Sequence, residues 1–287
     1  MSIGKMIDKW FPAAPDRKRE ESRLARFYAE KSEYHAMTAS GKKTCHPQVR
    51  VLECLIHPGG RYVEIGCGSG AISRLVGETA SVIGVDVSPL AIERARHIDS
   101  SENVEYRCAP AEKLPLSDND VDGCYSFEVF EHVWDPVVAV KEMMRITKPG
   151  GFLLMSMPVR FSLDLRLKKS MIVRYVEILF AVCRYVYDTF TGRLFQNVAP
   201  HLDGDVYSDC DMITAIVPAN FVKAIEAMGC TVDFWDTTYM CAHRDGSSTT
   251  LSFQSNAGHP FYRHFGDHVL ILAHKKCIAT KQDDTLV

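Results

Sequence analysis

Three short stretches hold the side chains best placed for binding and catalysis. "VEIGCGSG", Val63 to Gly70, puts a carboxylate, Glu64, two residues ahead of the glycines at 66, 68 and 70. "VIGVDVS" puts Asp86, with Val87 beside it, at the end of a β-rich run. "FEVFEHVWDP" spaces Glu128, Glu131 and His132 as i, i+3, i+4, so a helical turn beginning there sets all three on one face. "GCGSGA" satisfies the dinucleotide turn G-x-G-x-x-G/A through Gly66, Gly68 and Ala71, and an acidic residue at position 86 suits the ribose hydroxyls of any adenosine ligand. Neither feature selects the ligand. Glu64 does, because a carboxylate facing the loop repels a pyrophosphate in a poorly screened crevice and attracts an ammonium. The pattern points to a ligand with adenosine at one end and an amino-acid group where a dinucleotide has phosphate. The competing reading is that the glycines serve tight packing and Asp86 caps the helix that follows it. His132 is the best single candidate for a general base, since imidazole titrates near neutral pH; a hydrogen-bonded structural histidine is the alternative.

These residues need a scaffold, and the alternation of short apolar runs with helical patterns supplies one. "RYVEIG", "SVIGVD", "VEYRC", "VDGCYSF" and "GFLLMSMP" read as strands, separated by helices such as "SPLAIERARHI" and "DPVVAVKEMMRIT". That rhythm predicts an α/β fold with a doubly wound, mostly parallel sheet, and ligands of such sheets sit outside the carboxyl ends of the strands. Upstream, Arg17 to Glu33 and His46 to Leu55 read as helices. After Pro158 the rhythm fails and resumes with the helix "PANFVKAIEAMG" and the strands "CTVDFWD" and "HVLILAHK". The expected organisation is N-terminal helices covering the cofactor site (1–58), a cofactor-binding core (59–158), a helical insertion (159–218), the end of the core sheet (219–276) and a polar tail (277–287).

The five motifs in order resemble the class I S-adenosylmethionine-dependent methyltransferases over about Arg61 to Pro158: "VEIGCGSG", "GVDVSPLAIERAR", "APAEKLPLSDNDVDGCYSF", "EVFEHVWDP" and "TKPGGFLLMS". The resemblance implies a seven-stranded sheet with an antiparallel last strand, and S-adenosylmethionine as cofactor. It implies that Glu64 meets the methionine ammonium and that Gly66, Gly68 and Gly70 let the backbone approach the cofactor. Asp86 takes the ribose hydroxyls, Ala111 and Glu112 flank the adenine, and Val87 and Glu128 complete the cofactor contacts. One departure is Ala109-Pro110-Ala111-Glu112, where family members often carry an aspartate for the adenine amino group; one lost hydrogen bond is worth about 1 kcal/mol. The E-x-x-E-H arrangement resembles ubiquinone-pathway O-methyltransferases, whose precedent is a divalent ion assisting a phenolic substrate. For this chain no metal is expected.

The remaining composition narrows the partners. A formal charge of −3 with both signs interspersed lacks the positive excess that drives nucleic-acid binding. The N-terminal stretch has no continuous apolar segment of a secretory signal, so a cytoplasmic location is expected. Ten cysteines without a C-x-x-C pair predict reduced, mostly buried thiols such as Cys54, Cys124 and Cys183, with no disulfide and no zinc site. The greasy segment "MIVRYVEILFAVCRYVYD" carries Arg174, Glu177, Arg184 and Asp188 as a narrow polar stripe. With Arg160, Arg166, Lys168 and Lys169 before it, the region 160–190 is a candidate for peripheral membrane contact or for lidding an apolar pocket; burial against the sheet or a dimer partner is the bland alternative. His201, Asp205 and Tyr207 are candidates for the acceptor site, and Tyr28 and Tyr34 for closing over the cofactor. His259, His264 and His268 look metal-like by number alone. The expected activity is methyl transfer to a small, partly hydrophobic or lipid-linked acceptor at oxygen, with a protein or RNA acceptor, or an inactive cofactor-binding subunit, as alternatives.

Overall fold

The computed structural model describes residues 14–30, 47–159, 171–200, 202, 211–245, 248–255 and 268–277. Two helices, α1 (Arg17–Glu30) and α2 (Pro47–Leu55), precede the alternating core. The core runs β1 (Arg61–Ile65), α3 (Ala71–Gly77), β2 (Ser81–Asp86), α4 (Pro89–Ile98), β3 (Val104–Cys108), β4 (Val121–Phe127), a 3-10 turn (Phe130–His132), α5 (Pro136–Ile146) and β5 (Thr147–Pro158). Then come α6 (Met171–Phe190), the short strands β6 (Phe195–Asn197) and β7 (Thr214–Ile216), α7 (Pro218–Ala227), β8 (Cys230–Asp245), β9 (Ser248–Ser255) and β10 (His268–Lys275).

The main sheet has the order β3-β2-β1-β4-β5-β10-β8-β9. Strands β3 to β5 pair in parallel, while β10 is antiparallel to both β5 and β8. The expected doubly wound sheet is therefore present through β8, and the β8–β9 hairpin extends it by one strand. Strand alternation divides the core between the two faces. Val63, Ile65 and Leu153 pack with Met143, Ile146 and Phe221 of α5 and α7, while Tyr62, Tyr125 and Leu154 pack with Leu52 and Val76 of α2 and α3. Helix starts follow local chemistry. Asp135 accepts from the amides of Val137 and Val138 ahead of α5, and Ser88 accepts from Ala91 ahead of α4, each with proline at the first helical position.

Helix α6 buries part of its polar stripe and exposes apolar side chains. Two of its charged residues, Arg184 and Asp188, are buried, while Tyr175, Leu179, Val186, Tyr187 and Phe190 are exposed, Phe190 at 92%. The reason is a buried polar network: Arg184 Nε meets Asp188 Oδ2 at 2.7 Å, and Arg184 Nη2 donates to Gln196 Oε1 at 2.8 Å. The cysteines also correct expectation. Cys124 is buried, but Cys54 and Cys183 lie on the outer sides of α2 and α6 and are exposed. Cys54, Cys67, Cys108, Cys124, Cys183, Cys230 and Cys277 are free thiols. Among the described residues, no helix is long and apolar enough to cross a membrane.

Candidate functional site

A cavity of about 490 Å³ opens at the carboxyl ends of β1, β2 and β4. Its floor is the glycine loop. Leaving β1, the amides of Gly66 and Cys67 both donate to the Val85 carbonyl, at 2.7 and 3.0 Å, which ties the loop to β2. Gly66, Gly68 and Gly70 have φ of 72°, 54° and 76°, a left-handed conformation in which side chains are strained. They differ in surroundings. A Cβ on Gly66 would lie 2.2 Å from Val129 Cγ2, and one on Gly70 would lie 2.1 Å from Tyr106 Oη. A Cβ on Gly68 would meet nothing within 4 Å, and Gly68 lines the cavity, so this glycine leaves backbone open to a ligand.

Asp86 secures the loop from below. Its Oδ2 accepts from the Gly68 amide at 2.9 Å and its Oδ1 from the Ser88 amide at 2.8 Å. The helix cap is Ser88 rather than Asp86. Asp86, exposed Val87, Ala109, Pro110, Ala111 and Glu112 line the cavity.

Glu64 and Gly70 are not among the lining residues. Glu64 is buried on the α3 face of β1, where Ser73 Oγ donates to its Oε2. It sits in register with Gly84 of β2 and Tyr125 of β4. Burial, with the Glu64 and Asp86 carboxylates adding to it, pushes the Cys67 thiol far above its usual range and removes it as a nucleophile.

The rim after β4 departs from the helical face expected for Glu128, Glu131 and His132. Glu128 has φ of 57° and stands outside the 3-10 turn. Its Oε1 accepts from Ser156 Oγ of β5 at 2.6 Å, and its Oε2 lies 3.0 Å from His268 Nε2 at the start of β10. Glu131 is buried, with Oε1 3.6 Å from His132 Nε2. His132 lines the cavity with its side chain 22% exposed. These positions do not fit the divalent ion that the E-x-x-E-H resemblance implies: Glu128 is turned toward β5 and β10, and among the described residues no three His, Cys, Asp or Glu side chains converge as a metal site.

Several lining residues were not singled out from the sequence. Arg17, Glu21 and Leu24 bring α1 over the cavity, with Arg17 5.7 Å from the centroid of the Trp134 ring. Ile213 enters from the insertion, and Asp211, buried, approaches His132 Nδ1 to 3.3 Å. None has a local signature. Tyr34, His201, Asp205, Tyr207, His259, His264 and the basic residues Arg160, Arg166, Lys168 and Lys169 lie outside the described residues, as does the side chain of Tyr28.

The lining charges favour one class of ligand. Among the described residues, Glu21, Asp86, Glu112 and Glu128 supply four carboxylates to the lining, against one guanidinium, Arg17, whose Nε is 2.7 Å from Glu21 Oε1. Such a site repels a pyrophosphate and suits a sulfonium and an ammonium.

Comparison with known proteins agrees. Residues 63–155, about a third of the chain, match the methyltransferase domain family. The chain is 34% identical over 102 residues to the ubiquinone biosynthesis O-methyltransferase of Pseudomonas aeruginosa, covering 34% of this chain and 44% of that protein. It is 32% identical over 111 residues to cycloartenol-C-24-methyltransferase 1 of rice, covering 37% of this chain and 32% of that one. The chain thus spans less than half the length of these curated relatives. A solved S-adenosylmethionine-dependent methyltransferase from Thermotoga maritima shares the fold, at 20% identity and a TM-score of 0.51 over 90% of this chain and 99% of that one. Residues 63–155 thus form a methyltransferase domain similar to those of S-adenosylmethionine-dependent methyltransferases, with S-adenosylmethionine as the cofactor implied for it.

Proposed function

We propose that the protein transfers the methyl group of S-adenosylmethionine to the oxygen of a small, partly hydrophobic acceptor, with a phenolic, lipid-linked compound as the favoured class. The observation that carries this reading is the acidic, glycine-floored cavity that His132, Trp134 and Ile213 also line. The adenosine end of the cofactor lies along Asp86, Val87, Ala111 and Glu112, and its backbone contact is made at Gly66 and Gly68. Glu64 acts from beneath the loop through its charge on the methionine ammonium, and Gly70 acts by letting the loop turn into α3. Glu128 completes the acidic surround of the sulfonium.

The bound cofactor supplies an already activated methyl group, so the protein's work is to align a nucleophile and exclude water. Trp134, Val133 and Ile213 form an apolar wall suited to an aromatic acceptor. His132 stands where it can take the proton of a hydroxyl. The relative from Pseudomonas supports oxygen as acceptor atom, whereas the sterol relative is named for methylation at carbon.

The outward apolar face of α6, preceded in sequence by Arg160, Arg166, Lys168 and Lys169, supports seating on an anionic membrane surface where a lipid-linked acceptor is presented. Co-sedimentation with phosphatidylglycerol vesicles at low salt is expected, and its loss at high salt. A protein left entirely in the supernatant at low salt sinks the membrane contact.

Calorimetric titration with S-adenosylhomocysteine, beside NAD, tests the cofactor assignment in this chain. Binding of S-adenosylhomocysteine alone is expected. Glu64→Ala is expected to weaken it by about tenfold, the cost of one charge-assisted interaction of about 1.5 kcal/mol. Binding of NAD would overturn the reading of the loop.

A further inference from the structure

The second half of the insertion returns to the 3-10 turn and is stitched onto it. Ile213 N donates to the Glu131 carbonyl at 2.8 Å, Thr214 Oγ1 to the Val133 carbonyl at 2.7 Å, and Asn197 Nδ2 to the Trp134 carbonyl at 2.9 Å. Three carbonyls of the rim, at residues 131, 133 and 134, are thereby held by β6, β7 and the residue preceding β7. This stitching fixes Asp211 against His132: its main-chain carbonyl lies 3.5 Å from Nδ1, within hydrogen-bond distance, and its Oδ2 lies 3.3 Å from the same nitrogen. Asp211 is fully buried, and His132 faces the cavity. Glu131 Oε1, at 3.6 Å, is beyond hydrogen-bond reach of Nε2 but close enough to act on a charge there.

We propose that Asp211 is a positioning residue that holds His132 as the Nδ1–H tautomer, leaving Nε2 bare as general base toward the acceptor hydroxyl. The inference rests on the reading of the cavity as an O-methylation site. A carboxylate on one ring nitrogen decides which nitrogen carries the proton, and the other nitrogen is then the one that can accept. In the step, the acceptor oxygen bonds to the methyl carbon as the carbon–sulfur bond breaks and its electron pair returns to sulfur. The hydroxyl proton passes to His132 Nε2. The imidazolium so formed lies between Asp211 and Glu131, two buried carboxylates that stabilise it. Asp211 lies outside the matched domain at 63–155, so this base is assembled from the core and the insertion together.

The test uses the full chain labelled with nitrogen-15 and a two-bond proton–nitrogen correlation of the histidine rings. The wild type is expected to show His132 protonated at Nδ1. Asp211→Asn, whose amide can donate to Nδ1, is expected to move the ring toward the Nε2–H form. With catechol as acceptor, the same variant is expected to lose about 100-fold in kcat at little change in KM, as removal of a general base does. With 4-nitrocatechol at mildly alkaline pH, whose hydroxyl is already ionised, the loss is expected to be at least about tenfold smaller, because no proton remains to be taken.

Retained S-adenosylhomocysteine binding by the variant reports an intact fold. If Asp211→Asn does not fold, the wild-type ring spectrum and the same acceptor contrast in His132→Gln decide. A wild-type ring protonated at Nε2 alone, a tautomer unmoved by the substitution, or equal losses on both acceptors would overturn the proposal. If neither phenol is methylated while S-adenosylhomocysteine binds, the phenolic reading fails, and the ring spectra of wild type and variant still decide whether Asp211 sets the tautomer.

Discussion

Gly68→Ala is expected to leave the fold standing and remove most of the cofactor affinity, whereas Gly70→Ala is expected to damage the fold itself. Both residues have left-handed backbone, so an L side chain costs about 1–2 kcal/mol at either position. The difference is what the new methyl meets. At position 68 it meets no protein atom within 4 Å, so the stability loss stops near that strain term. The methyl does project where the cofactor's backbone contact is proposed, and overpacking of about 1–3 kcal/mol there weakens S-adenosylhomocysteine by about 5- to 150-fold. At position 70 the methyl lies 2.1 Å from Tyr106 Oη. Tyr106 cannot retreat cheaply: it is buried, and its hydroxyl donates to Asp99 Oδ2 at 2.7 Å. Strain and overpacking together come to about 2–5 kcal/mol, read as a lower midpoint in urea. Unfolding curves and calorimetry on the two variants separate the roles. Wild-type affinity in Gly68→Ala would show that the cofactor does not rest on this backbone.

The distinction between those glycines was not available from their spacing, which treats all three alike. What the sequence did make legible is local: the strand–turn–helix around the loop, Asp86 ending β2, Pro89 and Pro136 opening helices, and the alternation that builds a parallel sheet. A side chain's direction is not legible where it depends on distant partners. Glu64 was expected to face the ligand, yet the two-residue period of β1 places it with Tyr62 on the α2–α3 side, where Ser73 awaits it. Glu128 was placed on a helical face, but its left-handed backbone carries it toward Ser156 and His268, 28 and 140 positions further along the chain. Asp211 carries no mark of its own, because its meaning depends on a return of the chain to a turn 79 positions earlier. In α6 the burial of Arg184 and Asp188 depends on Gln196, which lies beyond the helix and completes their network in the interior.

That interior network makes Asp188→Ala the substitution expected to cost the most stability. Asp188 Oδ2 lies 2.7 Å from Arg184 Nε, its Oδ1 lies 3.6 Å from Arg193 Nε, and its carbonyl accepts from Asn220 Nδ2 at 2.9 Å. Arg184 is only 3% exposed, so deleting the carboxylate leaves a buried guanidinium that keeps Gln196 but loses this counter-charge. Breaking a buried pair from one side costs about 3–5 kcal/mol, whereas replacing both charges with apolar groups is often neutral. The double variant Asp188→Leu with Arg184→Met is therefore expected to recover most of the loss in a urea titration. The effect should also be regional. Arg184 reaches β6 through Gln196, and β6 pairs with β7, which is bonded to the turn that carries His132. Loosening α6 should thus speed amide exchange across 171–200 and 213–217 before it reaches β1 or β4. If exchange instead rises uniformly through the sheet, the insertion and the core unfold as one unit, and the mouth of the cavity has no independent stability for substrate binding to draw on.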